Sequence, residues 1–189
     1  RSQVINTLVS VVENHKRTID EFLAERLANL QNVANLVGIA ELSQPANLTD
    51  TLRSMQQVYG AFVDLGLIND QGRHVAYAGP YGLEKADYKD SFWFQQVLEH
   101  GRYVSDVFRG IRGVPHFIVA IKLGSGGHDY ILRATIDSAR FSSLVEGVRL
   151  GKTGEAFIIN KAGLFQTQVR SHGQLLAPSN LPVPEFFKG

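Results

Sequence analysis

No cysteine occurs among the 189 residues, which removes disulfides, cysteine nucleophiles and thiolate zinc sites together. An excess of charge of one sign is missing too: 19 Lys and Arg stand against 18 Asp and Glu, for a formal net charge of +1. Such a balance gives no field that favours nucleic acid or an anionic membrane surface. No apolar run reaches the roughly 18 to 20 residues needed to cross a bilayer, and no signal peptide is recognisable. Catalytic signatures are also lacking. His15, His74, His100, His116, His128 and His172 show neither H-x-H nor H-E-x-x-H spacing, and neither a G-x-S-x-G nor a Walker loop is found. The one glycine cluster, "GSGG", sits between two strand-like runs rather than before a helix, so it reads as a turn and not as a phosphate cradle. The expectation is therefore a segment that is itself non-catalytic, with no cofactor and no metal, an enzyme being the rival reading.

What is present is a globular composition, 44% hydrophobic and 20% charged, long enough for one large or two small domains. From Ser2 to about Val37 apolar residues recur at helical spacing (Val4, Leu8, Val11, Ile19, Phe22, Leu23, Leu30, Val33, Val37), with no Pro or Gly before Gly38. At 1.5 Å per residue that helix is roughly 50 Å long, longer than a small domain is wide. Two readings stand side by side: a stalk that packs on a second copy, or an ordinary amphipathic helix. "SQPANLTD" breaks it, and Asn47 or Thr49 is a candidate cap for a second helix ending near Tyr59. Arg1 at the start and "PEFFKG" at the end suggest a piece of a longer chain, with any membrane anchor outside it.

Two short alternating runs flank "NDQG", a hairpin signal, and "EAFIINKAGLFQTQ" repeats its N-x-x-G spacing at Asn160 and Gly163. Between them lie a helix opening at "SFWFQQVLEH", three strand-like runs and a short helix "SARFSSLVEGV". The expected class is α+β, a long N-terminal helix followed by an antiparallel sheet with flanking helices. The expected divisions are 1–59 for the two leading helices, 60–148 for a first sheet module and 149–189 for the opening of a second.

If "GSGG" is the turn, with Ala120 opposite Ile131 and His116 opposite Thr135, alternation puts Phe117, Val119, Ile121, Tyr130, Leu132, Ala134 and Ile136 on one face. The other face then carries His116, Ile118, Ala120, Arg133, Thr135 and Asp137. The first is a core wall. The second, apolar in its middle and polar at one end, suits a small ligand. Asp90 is the expected cap of the Trp93 helix and Gly101 its stop. Laid over that face, the helix gives a cavity roofed by Trp93 and Phe94 and floored by His116, Thr135, Asp137 and Tyr77.

"ADYKDSFWFQQVLEHGRYVSDVF", the long first helix, "ATID" before a short helix and the restart "GKTGEAFIINKAG" together resemble the extracytoplasmic double Cache sensor domains, PAS-like in fold, of bacterial membrane histidine kinases and chemoreceptors. The resemblance covers the helix, the membrane-distal module and the opening of the membrane-proximal one. It implies a periplasmic small-molecule sensor, with a histidine kinase as first reading of the parent protein and a chemoreceptor as alternative; the long first helix is the expected homodimer contact, and a dimerisation module without a ligand is the further alternative. It also implies ligand contacts. Trp93 and Asp137 match positions that, in amino-acid-sensing members, stack on the ligand and bind its amino group. The Trp93 helix and the loop through Tyr88 are expected to close on the ligand. Those members have an arginine where this chain has Ser91, and Y-x-D where it has Phe108 and Gly110. A ligand other than an α-amino acid is therefore expected, a small organic acid held by cations among Arg109, Arg112, Arg133 and His116.

Overall fold

A computed structural model of the chain describes residues 2–146, 154–170 and 173–183. The first helix, α1, spans Ser2–Val37 and stops at Gly38, whose φ of 81° is open to a residue without a side chain. Its two halves differ. Val4, Ile5, Val9 and Val12 are exposed, whereas Leu30 is fully buried and Ala34 nearly so, with Phe22, Leu23, Leu27 and Val33 packed beside them. A fully buried leucine such as Leu30 contributes about 1.5–3 kcal/mol. The first turns of α1 therefore outrun the module that the later turns stabilise.

A short helix α2 (Ile39–Leu42) leads into α3 (Pro45–Tyr59). The expected caps of α3 are corrected by the structure: Gln44 occupies the N-cap without a side-chain bond, and Pro45 at the first helical position supplies the preset φ. Asn47 and Thr49 lie inside the helix, Thr49 Oγ1 donating to Pro45 O at 2.8 Å. Leu48, Leu52 and Met55 carry the buried face.

Five antiparallel strands follow in the order β2-β1-β5-β4-β3, namely β1 (Phe62–Asn69), β2 (His74–Ala78), β3 (Arg102–Val104), β4 (His116–Ser125) and β5 (His128–Asp137). Helix α4 (Phe92–His100) enters between β2 and β3, and α5 (Ser138–Glu146) follows β5. The α+β class expected from the sequence is the one observed.

The β4–β5 register differs from the expected one. Ser125 pairs with His128, leaving Gly126 and Gly127, at φ 60° and 80°, as a two-residue turn, so Ala120 faces Arg133 and His116 faces Asp137. Two positive φ values in succession make the tight hairpin whose twist matches its strands. The slip from the expected pairing is two residues, and because side chains alternate with period two the face assignment survives it. Phe117, Val119, Ile121, Leu132, Ala134 and Ile136 join Leu65 and Leu67 in the main core under α1 and α3. Ile118, Ala120 and Ile131 pack on the opposite side with Trp93, Phe94 and Val97 of α4.

The two N-x-x-G turns match bond for bond. Asn69 N donates to Arg73 O and Gly72 N to Asn69 O, while Asn69 Oδ1 accepts from the amides of Gln71 and Arg73. Around Asn160 the same set recurs, with Leu164, Gly163, Ala162 and Leu164 in the corresponding roles. Gly72 and Gly163 have φ of 80° and 76°. Past the second turn the described residues make single bridges, Ile159 to Phe165 and Leu164 to Pro178.

Candidate ligand site

The second face of the sheet is built around one long side chain. Along one row across the strands Tyr77, Gly66, Arg133, Ala120 and Tyr103 are successive partners. The His74 ring fills the space over Gly66, where a Cβ would stand 2.5 Å from its Nε2, and Arg133 is 2% exposed. Asp64, one step along β1 and 0% exposed, accepts from Arg133 Nη2 at 3.3 Å and from the Tyr77 hydroxyl at 3.2 Å. Arg112, from the loop before β4, brings Nη1 to 3.7 Å from the same carboxylate and stacks its guanidinium on the Tyr81 ring at 3.8 Å. Arg133 Nη1 donates to the Tyr88 hydroxyl at 3.0 Å. Two arginines therefore share one buried carboxylate. The Nε of each and the Nη1 of Arg112 have no hydrogen-bond partner among the described residues.

Aromatic rings extend this cluster toward α4. Tyr88 stands edge-on to His74 at 5.3 Å between centroids and tilted against Trp93 at 5.1 Å, while Trp93 meets Phe94 edge-on. Gly101, at φ 78° and donating to Val97 O, ends the helix as the sequence predicted. Its start is corrected: Ser91 is the N-cap, without a side-chain bond, and Asp90 does not cap it. Between α4, the segment Tyr103–Arg112 and the sheet lies a cavity of about 420 Å³. Trp93, Phe92, Tyr88, Tyr103, Phe108, Leu83 and Ile111 give it apolar walls, and Ser91, Ser105, Asp106, Arg112, His116 and Arg133 give it polar ones.

His116 in the wall and His74 behind it, edge-on to Tyr88, are both held neutral. Burial, then the nearby Arg133 charge, lowers His74 to about 4, and burial together with Arg112 and Arg133 lowers His116. Each ring has its Nδ1 against a carbonyl, Leu83 O at 2.6 Å for His74 and Val114 O at 2.8 Å for His116. A carbonyl only accepts, so in the neutral rings Nδ1 carries the proton and Nε2 is the acceptor. Burial also raises the Tyr88 hydroxyl, and burial and Asp64 raise that of Tyr77, keeping both neutral, Tyr88 as acceptor from Arg133 and Tyr77 as donor to Asp64.

Of the residues singled out from the sequence, the structure brings Trp93, Tyr88, Phe108, His116 and Arg133 together around the cavity. The others stand elsewhere. Phe94 is buried against the sheet rather than facing the cavity, because its neighbour Trp93 takes the outward turn of the helix. Tyr77 lies behind the wall, held to Asp64. Thr135 is fully buried, outside the cavity lining, with Oγ1 lacking a hydrogen-bond partner among the described residues. Asp137 is exposed at the strand end, accepts from Ala139 N at 2.7 Å and so caps α5; it borders a separate depression with Arg140 and Ser143. Arg109 is exposed, 3.4 Å from Gly113 O. Of the expected floor only His116 lines the cavity, and Arg133 and Arg112 stand where Thr135, Asp137 and Tyr77 were expected.

Asp64 was missed by the sequence reading as a site component. Its signal was present: a lone carboxylate inside the otherwise apolar run "FVDLGLI" must find a cation once the strand is buried. Among the described residues no group of three or more metal-ligating side chains comes together, and no helix is long and apolar enough to cross a membrane.

No family model matches this sequence, and no curated protein does. Solved structures do match in fold. The ligand-binding domain of the Pseudomonas fluorescens chemoreceptor CtaA, solved with L-isoleucine, superposes with a TM-score of 0.70 at 14% identity over 94% of this chain and 73% of its own. The domain of the Pseudomonas aeruginosa amino acid chemoreceptor PctB, with L-Gln, gives 0.69 at 14% identity over 92% and 71%. That of PctC from the same organism, with GABA, gives 0.68 at 16% over 92% and 79%. The chain therefore has the fold of bacterial chemoreceptor ligand-binding domains.

Proposed function

We propose that this chain is the extracytoplasmic ligand-sensing domain of a bacterial transmembrane chemoreceptor, with residues 60–148 binding a small organic acid and residues 149–189 opening a second, membrane-proximal module. The observation that carries the reading is the cavity beneath the Trp93 helix, where aromatic walls meet two buried guanidinium groups. A chemoreceptor is preferred to the histidine kinase that the sequence resemblance put first, because the similar solved domains quoted above come from chemoreceptors.

The signalling path in this reading runs through residues Ser105–Phe108. Ser105, Asp106 and Phe108 face the cavity, while Val107 N donates to Gln166 Oε1 at 2.7 Å and Asn160 Nδ2 donates to Asp106 Oδ2 at 3.0 Å. A ligand that draws this strap toward Trp93 moves its partners beyond residue 149. Only a ligand that binds one arrangement better than the other shifts the balance between them. The exposed apolar side chains of α1, Val4, Ile5, Leu8, Val9 and Val12, are read as a seam for a second copy, and sedimentation of the chain as a monomer at high micromolar concentration would remove that part.

The test is a thermal-shift screen of the chain against small carboxylates, amino acids and amines, repeated on Trp93→Ala. Stabilisation by one chemical class, lost in the variant, is the expected result. No shift with any compound while the variant remains folded would refute the sensor reading.

A further inference from the structure

The charges that surround the cavity limit what can fill it. Arg112 and Arg133 contribute two positive charges, Asp64 one negative, and His74 and His116 none at neutral pH, so the buried wall carries a net charge of +1. The side chains of both arginines are 3% exposed; Arg112 Nε and Arg133 Nε make no hydrogen bond among the described residues, and Arg112 Nη1 has only its 3.7 Å ion pair with Asp64. A buried guanidinium with donors left unused takes a planar oxyanion as a further partner. One negative charge neutralises the wall, whereas a phosphate dianion would leave it with a net charge of −1.

Within the buried part of the wall a ligand ammonium has no free carboxylate to meet. Asp64 lies behind the guanidinium groups, fully buried and already engaged by Tyr77 and Arg133. Asp106 sits at the exposed rim and accepts from Asn160. A primary ammonium placed beside the bound carboxylate would face two like charges in a low-dielectric wall. The remaining walls are flat and aromatic, with Tyr88, Phe92, Trp93, Tyr103 and Phe108 providing ring faces and edges.

We propose that the cavity selects a planar monocarboxylate, an aryl or unsaturated acid without a charged amine, with its carboxylate on Arg112 and Arg133 and its apolar body against Trp93 and Phe108. This selectivity rests on the sensor reading above.

The experiment is titration calorimetry of the chain with trans-cinnamate, 3-phenylpropanoate, L-phenylalanine, phenethylamine and phenyl phosphate, five ligands that share a phenyl group. The two monocarboxylates are expected to bind at least tenfold more tightly than the other three, and Arg112→Gln to weaken them at least tenfold while circular dichroism stays native. Arg112 is chosen because its ion pair with Asp64, at 3.7 Å, is the longer of the two, so Arg133 still holds the carboxylate in the variant. Equal or tighter binding of L-phenylalanine or phenethylamine would overturn the selectivity and leave the sensor reading standing. Tighter binding of phenyl phosphate would overturn the charge argument in the same way, as would carboxylate binding unchanged in Arg112→Gln. Absence of heat with these five and with a panel of aliphatic acids and amino acids would overturn both proposals.

Discussion

Replacing Asp64 by asparagine tests the charge balance of the wall most directly. The substitution keeps the shape of the side chain and removes the one carboxylate shared by Arg133 at 3.3 Å, Arg112 at 3.7 Å and the Tyr77 hydroxyl at 3.2 Å. Asp64 is 0% exposed, so water cannot take over its role, and breaking a buried pair of this kind costs about 3–5 kcal/mol. For a chain of this size each kcal/mol corresponds to about 2–4 °C in Tm, which puts the expected fall at about 6–20 °C. Asp50→Asn is the matched control. Its partner Arg53 lies at 2.7 Å, closer than either arginine of the buried cluster, but both side chains are largely exposed. An exposed pair is worth about 0–1 kcal/mol, and that variant should melt within about 4 °C of the parent. Differential scanning calorimetry at neutral pH reads both. The charge argument adds a second expectation: with the Asp64 carboxylate removed the wall rises from +1 to +2, so a saturating monocarboxylate should raise Tm further in the variant than in the parent. If Asp64→Asn melts as close to the parent as Asp50→Asn does, burial of the cluster does not govern its energetics and the reasoning fails.

Acid should weaken the fold through His74. Its folded pKa of about 4 lies below the ordinary 6.5, so the unfolded chain binds the proton more readily; the contribution is fully present above about pH 6.5 and is lost as pH falls toward 4. The limit is about 3 kcal/mol, and urea midpoints between pH 7 and 4 should show a decline that is reduced in His74→Gln. A decline of the same size in that variant would assign the effect to other groups. Gly66→Ala should destabilise by about 1–3 kcal/mol, because a Cβ there would stand 2.5 Å from His74 Nε2 and force the ring off its bond to Leu83 O. A urea midpoint equal to the parent's would mean that the His74 ring has room to retreat.

Periodicity carried much of the fold. The helical spacing up to Val37 gave α1 and its end at Gly38, and alternation sorted β4 and β5 into a core face and a mixed face even though the pairing was two residues out. The turn residues were right in kind but not in geometry, since "GSGG" contains the two positive-φ glycines of a shorter loop. Caps were the least legible feature. Asn47, Thr49 and Asp90 have good capping chemistry, yet Pro45 and the chain path after Tyr88 set where α3 and α4 begin.

The sequence by itself determined which side chains share a face, because that depends only on the period of a strand or helix. On those grounds it put His116 and Arg133 on one sheet face; the Trp93 helix above that face was an expectation that period alone could not fix. Which of them would meet was decided by tertiary structure. Asp64 reaches Arg133 across 69 residues and Arg112 across 48, separations for which local spacing holds no information. The turn of α4 that aims Trp93 into the cavity and Phe94 into the core depends on how the helix docks, as does the placing of Asp137 outside the cavity at the start of α5. Burial then turned two ordinary arginines and one aspartate into a charged wall, through the removal of water that only the assembled sheet, helix and loop together achieve.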